Sequence, residues 1–230
     1  MKMTLAGHLR ELRGRIIWSL LFFIVMFLVG FVVVPVIKEI VILPLKTAIE
    51  NPSLIMTGIE DGLVIEFSVA GLFAIFASAP FLLWQLWRYI QPALKKGERK
   101  IAIPIIIASP ILFVGGAMFA YYILLPIMFN FFVALTGEGI NMMPNMRDYM
   151  AFSIGLLRMF GFAFQFPLIL IILNRTGVLS RKQILSAGSY IIITIFILAA
   201  VLTPPDIISQ IALALPLLVL FALSFLFMKE

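Results

Sequence analysis

From Ile101 to Gly137 the chain runs for 37 residues without a charged side chain. One crossing of a bilayer takes about 20 apolar residues in a helix, at about 1.5 Å per residue. Lipid offers no partners to backbone N–H and C=O groups, so such a run must form helix, which satisfies them internally. This stretch is too long for one straight crossing. Pro104, Pro110 and Pro126 are expected to divide it into a spanning helix near Ile105 to Leu125 and a flanking helix at the surface. Composition agrees: 63% of the 230 residues are hydrophobic and 12% charged. Soluble domains run at about half and about a quarter. The expected fold class is an all-α integral membrane protein.

Other apolar runs add spans at Ile16 to Val36, Phe67 to Trp87 and Tyr149 to Leu173, the last interrupted by Arg158. The stretch from Gln183 to Met228 carries one charge, Asp206, inside "TPPD" at Thr203 to Asp206. Adjacent prolines end the incoming helix, and Thr203, Pro204, Pro205 and Asp206 fit a capped restart, which divides this stretch into two short spans. The expected count is six transmembrane helices in one polytopic domain, residues 1–230, with no internal repeat. Ser180 and Gln183 fit a capping box that opens span five, and Arg175 with Gly177 fits the close of span four.

Lysine and arginine placement sets orientation. Thirteen of the seventeen fall at the N-terminus, the second-to-third connection, the fourth-to-fifth connection and the C-terminus. The opposite loops, expected at 37–64, 126–148 and 203–206, keep Lys38, Lys46 and Arg147 beside most of the acids. Both termini are therefore expected in the cytoplasm. The basic excess is a topology signal, and nucleic acid is not needed to explain it.

Enzyme chemistry is not expected. The chain has no cysteine and one histidine, His8, outside every span, and it lacks nucleophile-elbow, phosphate-loop and paired-histidine metal motifs. No metal or cofactor is implied. A secondary transporter or channel subunit is the alternative reading. It would bring inverted repeats, broken helices near mid-membrane and several intramembrane charges.

Two acids stand among basic residues at the cytoplasmic edges: Glu11 in "HLRELRGR" and Glu98 in "QLWRYIQPALKKGERK". Residues 5–16 form an amphipathic pattern with Leu5, Leu9, Leu12 and Ile16 on one face. Glu11 can pair with Arg15 at i,i+4, an ordinary exposed pair worth about 0.3 to 0.5 kcal/mol. The same acids suit a guest carrying arginines, whose forked guanidinium bonds a carboxylate bidentately.

Four blocks, "HLRELRGR", "SAPFLLWQLWRYIQPALKKGERK", "FGFAFQFP" and "LTPPDIISQ", spread over nearly the whole chain, resemble the TatC family, the multi-spanning core of the twin-arginine protein translocase. The resemblance implies a concave, glove-like six-helix bundle in the bacterial inner membrane with both termini cytoplasmic. It implies binding of twin-arginine signal peptides on folded precursors, action with small single-span Tat partner subunits (TatA/TatB type) and further copies of the chain itself, and export driven by the proton-motive force. By resemblance Glu11 and Glu98 receive the arginine pair, while Arg13, Arg15, Pro80, Gln85, Tyr89 and Pro92 belong to the recognition region. Many members carry a glutamate in span four, where this chain has Gln165. An amide hydrogen-bonds but does not titrate as a carboxylate. Gln165 and Arg158, seven positions apart, are expected on one helix face lining a polar cavity, with Glu66 or Asp206 as partners for Arg158; the alternative is that the long Arg158 stem snorkels to the external head groups.

Overall fold

The computed structural model describes residues 5–48, 53–90, 99–136, 143–202 and 207–229. Every regular element among them is helical. Four helical stretches are long and apolar enough to cross a membrane, and two more apolar helices are shorter. Thr203 to Asp206, Pro92 and Glu98 lie outside the described residues.

Helix α1 spans Leu5–Ala48, 44 residues or about 66 Å. The expected amphipathic segment and first span are thus one rod, which also continues twelve residues beyond Val36 into the expected loop. Pro44 falls inside it and has no N–H for the carbonyl of Ile40, one turn back. The Tyr121 hydroxyl donates to that carbonyl at 2.7 Å, and the Tyr149 hydroxyl donates to the next, Val41 O, at 2.6 Å. Hydroxyls from two other segments satisfy this part of α1, so the helix continues through the proline.

Helix α2 (Asp61–Ile90) packs along α1. Gly30 permits the approach: a Cβ there would lie 2.7 Å from the carbonyl oxygen of Ala70. Phe27, Phe31 and Phe67 fill the same seam, edge to face or tilted at 5.0 to 6.0 Å.

The long uncharged run folds as α3 (Arg99–Phe119), a π-helical turn (Ala120–Leu124) and α4 (Leu125–Thr136). No break separates them. The Leu125 N–H reaches back five residues to Ala120 O, just ahead of Pro126. A wider turn absorbs the residue that would otherwise face the proline ring, which is why the expected division becomes a π-bulge. Pro104 and Pro110 are likewise carried inside α3.

The expected fourth span is broken. Helix α5 (Met146–Ala163) ends in a turn at Phe164 and Gln165, and α6 (Phe166–Arg175) continues from it. Pro167 has no N–H for the Ala163 carbonyl, and Gln165 N–H instead makes a tighter bond to Phe162 O at 2.9 Å. Glycines seat α5 on α3. A Cβ on Gly116 would meet Phe160 O at 2.3 Å, and one on Gly161 would meet the Phe113 ring at 3.0 Å.

Gly177, at φ 71°, ends this pair, and Ser180 with Gln183 forms the expected capping box of α7 (Arg181–Ser186). Helix α8 (Gly188–Leu202) and α9 (Ile207–Ser224) follow. At about 22 and 27 Å they are shorter than a typical hydrocarbon core. The end of the chain is pinned to α6. Arg175 donates twice to Phe227 O, and Asn174 exchanges hydrogen bonds with the backbone of Lys229.

At the other end of the bundle, Asp61 is buried and accepts from the N–H groups of Thr57 and Gly58. Arg147 pairs with Asp61 at 3.1 Å and Glu60 at 3.4 Å. Ile55 lies alongside Asn145, its N–H donating to Pro144 O at 3.2 Å and its carbonyl accepting from Met146 N–H at 2.8 Å. The connection before α2 is thereby tied to the start of α5.

Candidate functional site: an acidic acceptor above an apolar groove

Glu11 and Arg15 sit one turn apart on α1, on the side facing the last turns of α2. Arg15 donates from Nε (3.0 Å) and from a terminal nitrogen (2.5 Å) to the same carboxylate oxygen, Glu11 Oε1. Its other terminal nitrogen donates to Gln85 Oε1 at 2.8 Å. The expected i,i+4 pair is therefore present, and an α2 side chain braces it. The side chains of Arg15 and Glu11 keep 18% and 22% of their exposure, so the pair is partly desolvated. Glu11 Oε2 is buried and accepts no hydrogen bond. A carboxylate oxygen without a donor in such a place loses water and gains nothing, a cost of about 1 to 3 kcal/mol that a guest donor would relieve.

Below this cluster lies a groove of about 410 Å³ between α1 and α2. Arg15 and Gln85 stand in its wall with Tyr89, and the remaining lining is mostly apolar, including Ile16, Leu20, Phe23 and Leu82. An acceptor for a cation beside an apolar slot fits a segment whose basic residues precede hydrophobic ones.

The structure brings together Glu11, Arg15, Gln85 and Tyr89. Arg13 is exposed, pointing off the opposite side of α1, and Pro80 is exposed two to three turns from the end of α2. Neither touches the cluster or lines the groove. Residues deeper in the groove, Ser19, Leu20, Phe23, Leu82 and Leu86, escaped the sequence reading, because their helices look uniformly apolar. For Ser19, Leu20 and Phe23 the signal was the continuation of the Leu12–Ile16 face at i+4 and i+7.

Gln165 is buried in the turn between α5 and α6. The Ser109 hydroxyl donates to its Oε1, and its Nε2 donates to the Ser109 carbonyl at 2.9 Å, so the amide clamps α3. Arg158 is half-buried, and its Nε donates to the carbonyl of Ile154 one turn back, at 3.3 Å. The expectation that Arg158 and Gln165 share one helix face does not survive the break, which intervenes between them and turns Gln165 into α3. The expected Arg158–Glu66 ion pair is also absent: the described ion pairs are those of Arg15 and Arg147.

Comparison with known proteins agrees with these motifs. A family model described as "Sec-independent protein translocase protein (TatC)" matches residues 7–216. The chain belongs to the TatC family. It is 34% identical to a TatC of Azotobacter chroococcum over 98% of this chain and 89% of the relative. Against a TatC of Escherichia coli K12 it is 30% identical, over 98% and 88%. A crystal structure titled "Twin Arginine Translocase Receptor- TatC in DDM" superposes with a TM-score of 0.89 at 32% identity, covering 97% of this chain and 100% of the other. TatC proteins are translocase components rather than enzymes.

Proposed function

We propose that this chain is the receptor subunit that binds twin-arginine signal peptides of folded precursors at the cytoplasmic face of the bacterial inner membrane. It exports them with small single-span partners and further copies of itself, using the proton-motive force. In this reading the four long and two short apolar helical stretches are six spans, N-in and C-in, as the lysine and arginine distribution requires. Glu11 and Glu98 receive the arginine pair, and the residues following it enter the apolar groove.

The observation that carries this reading is the buried, unpartnered Oε2 of Glu11 at the head of that groove. A guanidinium can bond it while Arg15 keeps Oε1. The test is binding of a fluorescent twin-arginine signal peptide to the purified chain in nanodiscs. Glu11→Ala and Glu98→Ala should each weaken binding by about 5- to 100-fold, from the cost of a charged donor left without its acceptor. Wild-type affinity in both single variants and in the double variant would refute the assignment.

A further inference from the structure

We infer that Arg15, held in place by Gln85, is the part of the acceptor that tells an arginine guest from a lysine guest. This rests on the reading above that Glu11 receives a basic side chain of the signal peptide, and adds what selects that side chain.

An arginine preference commonly comes from a fork, two parallel N–H groups on the two oxygens of one carboxylate. Glu11 does not offer that arrangement. Its Oε1 already accepts from Nε and a terminal nitrogen of Arg15, which fills both lone pairs of that oxygen. Oε2 alone is left without a donor. One oxygen takes a lysine ammonium as readily as it takes a single N–H of a guanidinium. Glu11 by itself therefore discriminates little between the two.

Discrimination falls instead to what stands beside the free oxygen. The two oxygens share one carbon, so a group that reaches Oε2 comes to lie against the guanidinium on Oε1. Hydrogen bonds engage all three nitrogens of Arg15: two at Glu11 and the third at Gln85 Oε1, 2.8 Å away. Anchored from both α1 and α2, the guanidinium has its plane fixed. It donates within that plane, which leaves its faces for stacking. Arg15 and Gln85 both stand in the groove wall. Arg10 and Arg13 are exposed, and neither bonds Glu11 among the described contacts.

Chemistry then separates the two guests. An arginine guanidinium is flat, spreads its charge and is weakly hydrated, so it can stack on Arg15 while one N–H bonds Oε2. A lysine ammonium is a compact, strongly hydrated point charge. To reach Oε2 it must shed water where the Arg15 and Glu11 side chains keep only 18% and 22% of their exposure. It also meets a positive neighbour there, and partial desolvation strengthens that repulsion. Arg15 is the filter, and Gln85 is its positioning residue.

The test compares a fluorescent twin-arginine signal peptide with its twin-lysine counterpart, each titrated against the full-length chain in nanodiscs. The quantity read is the ratio of the two affinities, which a merely structural loss leaves unchanged because it weakens both peptides alike. The wild-type chain should favour the arginine peptide by about tenfold or more. Arg15→Lys keeps the charge on Oε1 but removes the flat face, and should lower the ratio by about threefold or more. Gln85→Leu releases the plane and should lower it too, whereas Gln85→Glu still accepts from Arg15 and should preserve it. Arg15→Ala is not informative in this way, since it reopens Oε1 to a fork. A wild-type ratio near one would overturn the inference, as would a wild-type ratio that survives in Arg15→Lys. A ratio that falls in Arg15→Lys but not in Gln85→Leu would overturn the role of Gln85. A wild-type chain that binds neither peptide would refute the receptor reading itself, and this inference with it.

Discussion

The pair between Ser109 and Gln165 invites a double-mutant cycle. Ser109→Ala removes the hydroxyl donor to Gln165 Oε1 but leaves the backbone carbonyl that Nε2 bonds. The buried Oε1 then has no described donor. Loss of one neutral hydrogen bond with an unsatisfied partner costs about 1 to 3 kcal/mol in soluble cores. Between membrane helices the measured coupling is smaller, about 0.6 kcal/mol on average and about 1.7 at most. Ser109→Ala is therefore expected to destabilise the chain by about 1 kcal/mol. Gln165→Leu removes both bonds, and the freed Ser109 hydroxyl can turn to its own helix, so its cost should be about 1 to 2 kcal/mol. The double variant should fall short of the sum by about 0.6 to 1.7 kcal/mol, the coupling of the two side chains. Reversible unfolding in mixed detergent micelles, followed by circular dichroism, measures all four species. Additive costs would show that the two side chains do not interact, and would leave only the Nε2 bond to the Ser109 carbonyl to hold Gln165 inward.

Neighbouring glycines on α3 should respond differently to the same change. Gly116→Ala forces a Cβ against the Phe160 backbone and should cost about 1 to 3 kcal/mol, whereas Gly115→Ala enters open space and should be neutral or slightly stabilising; equal melting temperatures would contradict the α3–α5 packing. The chain has no cysteine, so single cysteines report topology cleanly. Replacing Ser53 or Glu138 should allow labelling by an impermeant thiol reagent from outside, and labelling at Gly97 instead would invert the proposed orientation.

Alternation of apolar runs and charged connections is written residue by residue, so the helical membrane class was legible in the sequence. Local rules also sufficed for the Ser180–Gln183 capping box, the Gly177 close and the Glu11–Arg15 pair, because each depends on partners no more than four residues apart. Prolines marked sites where a helix loses a hydrogen bond, but not what the chain does about it. Around Pro44 two tyrosines from distant segments supply donors and α1 runs on; ahead of Pro126 a π-turn absorbs the mismatch; at Pro167 the helix breaks. Those outcomes depend on which side chains the tertiary structure brings to the freed carbonyls. The same reason separates Gln165 from Arg158. Spacing along one ideal helix put them on a common face, whereas the break at Pro167 and the waiting Ser109 turned one inward and left the other half-buried on α5. Likewise the sequence named Glu11 as an acceptor, but only the packing of α2 against α1 brought Gln85 to brace Arg15 and left one carboxylate oxygen buried and unpartnered. Neighbours along the chain set the elements and caps; neighbours across the fold set whether a proline bends, bulges or breaks a helix and which polar atoms stay unsatisfied.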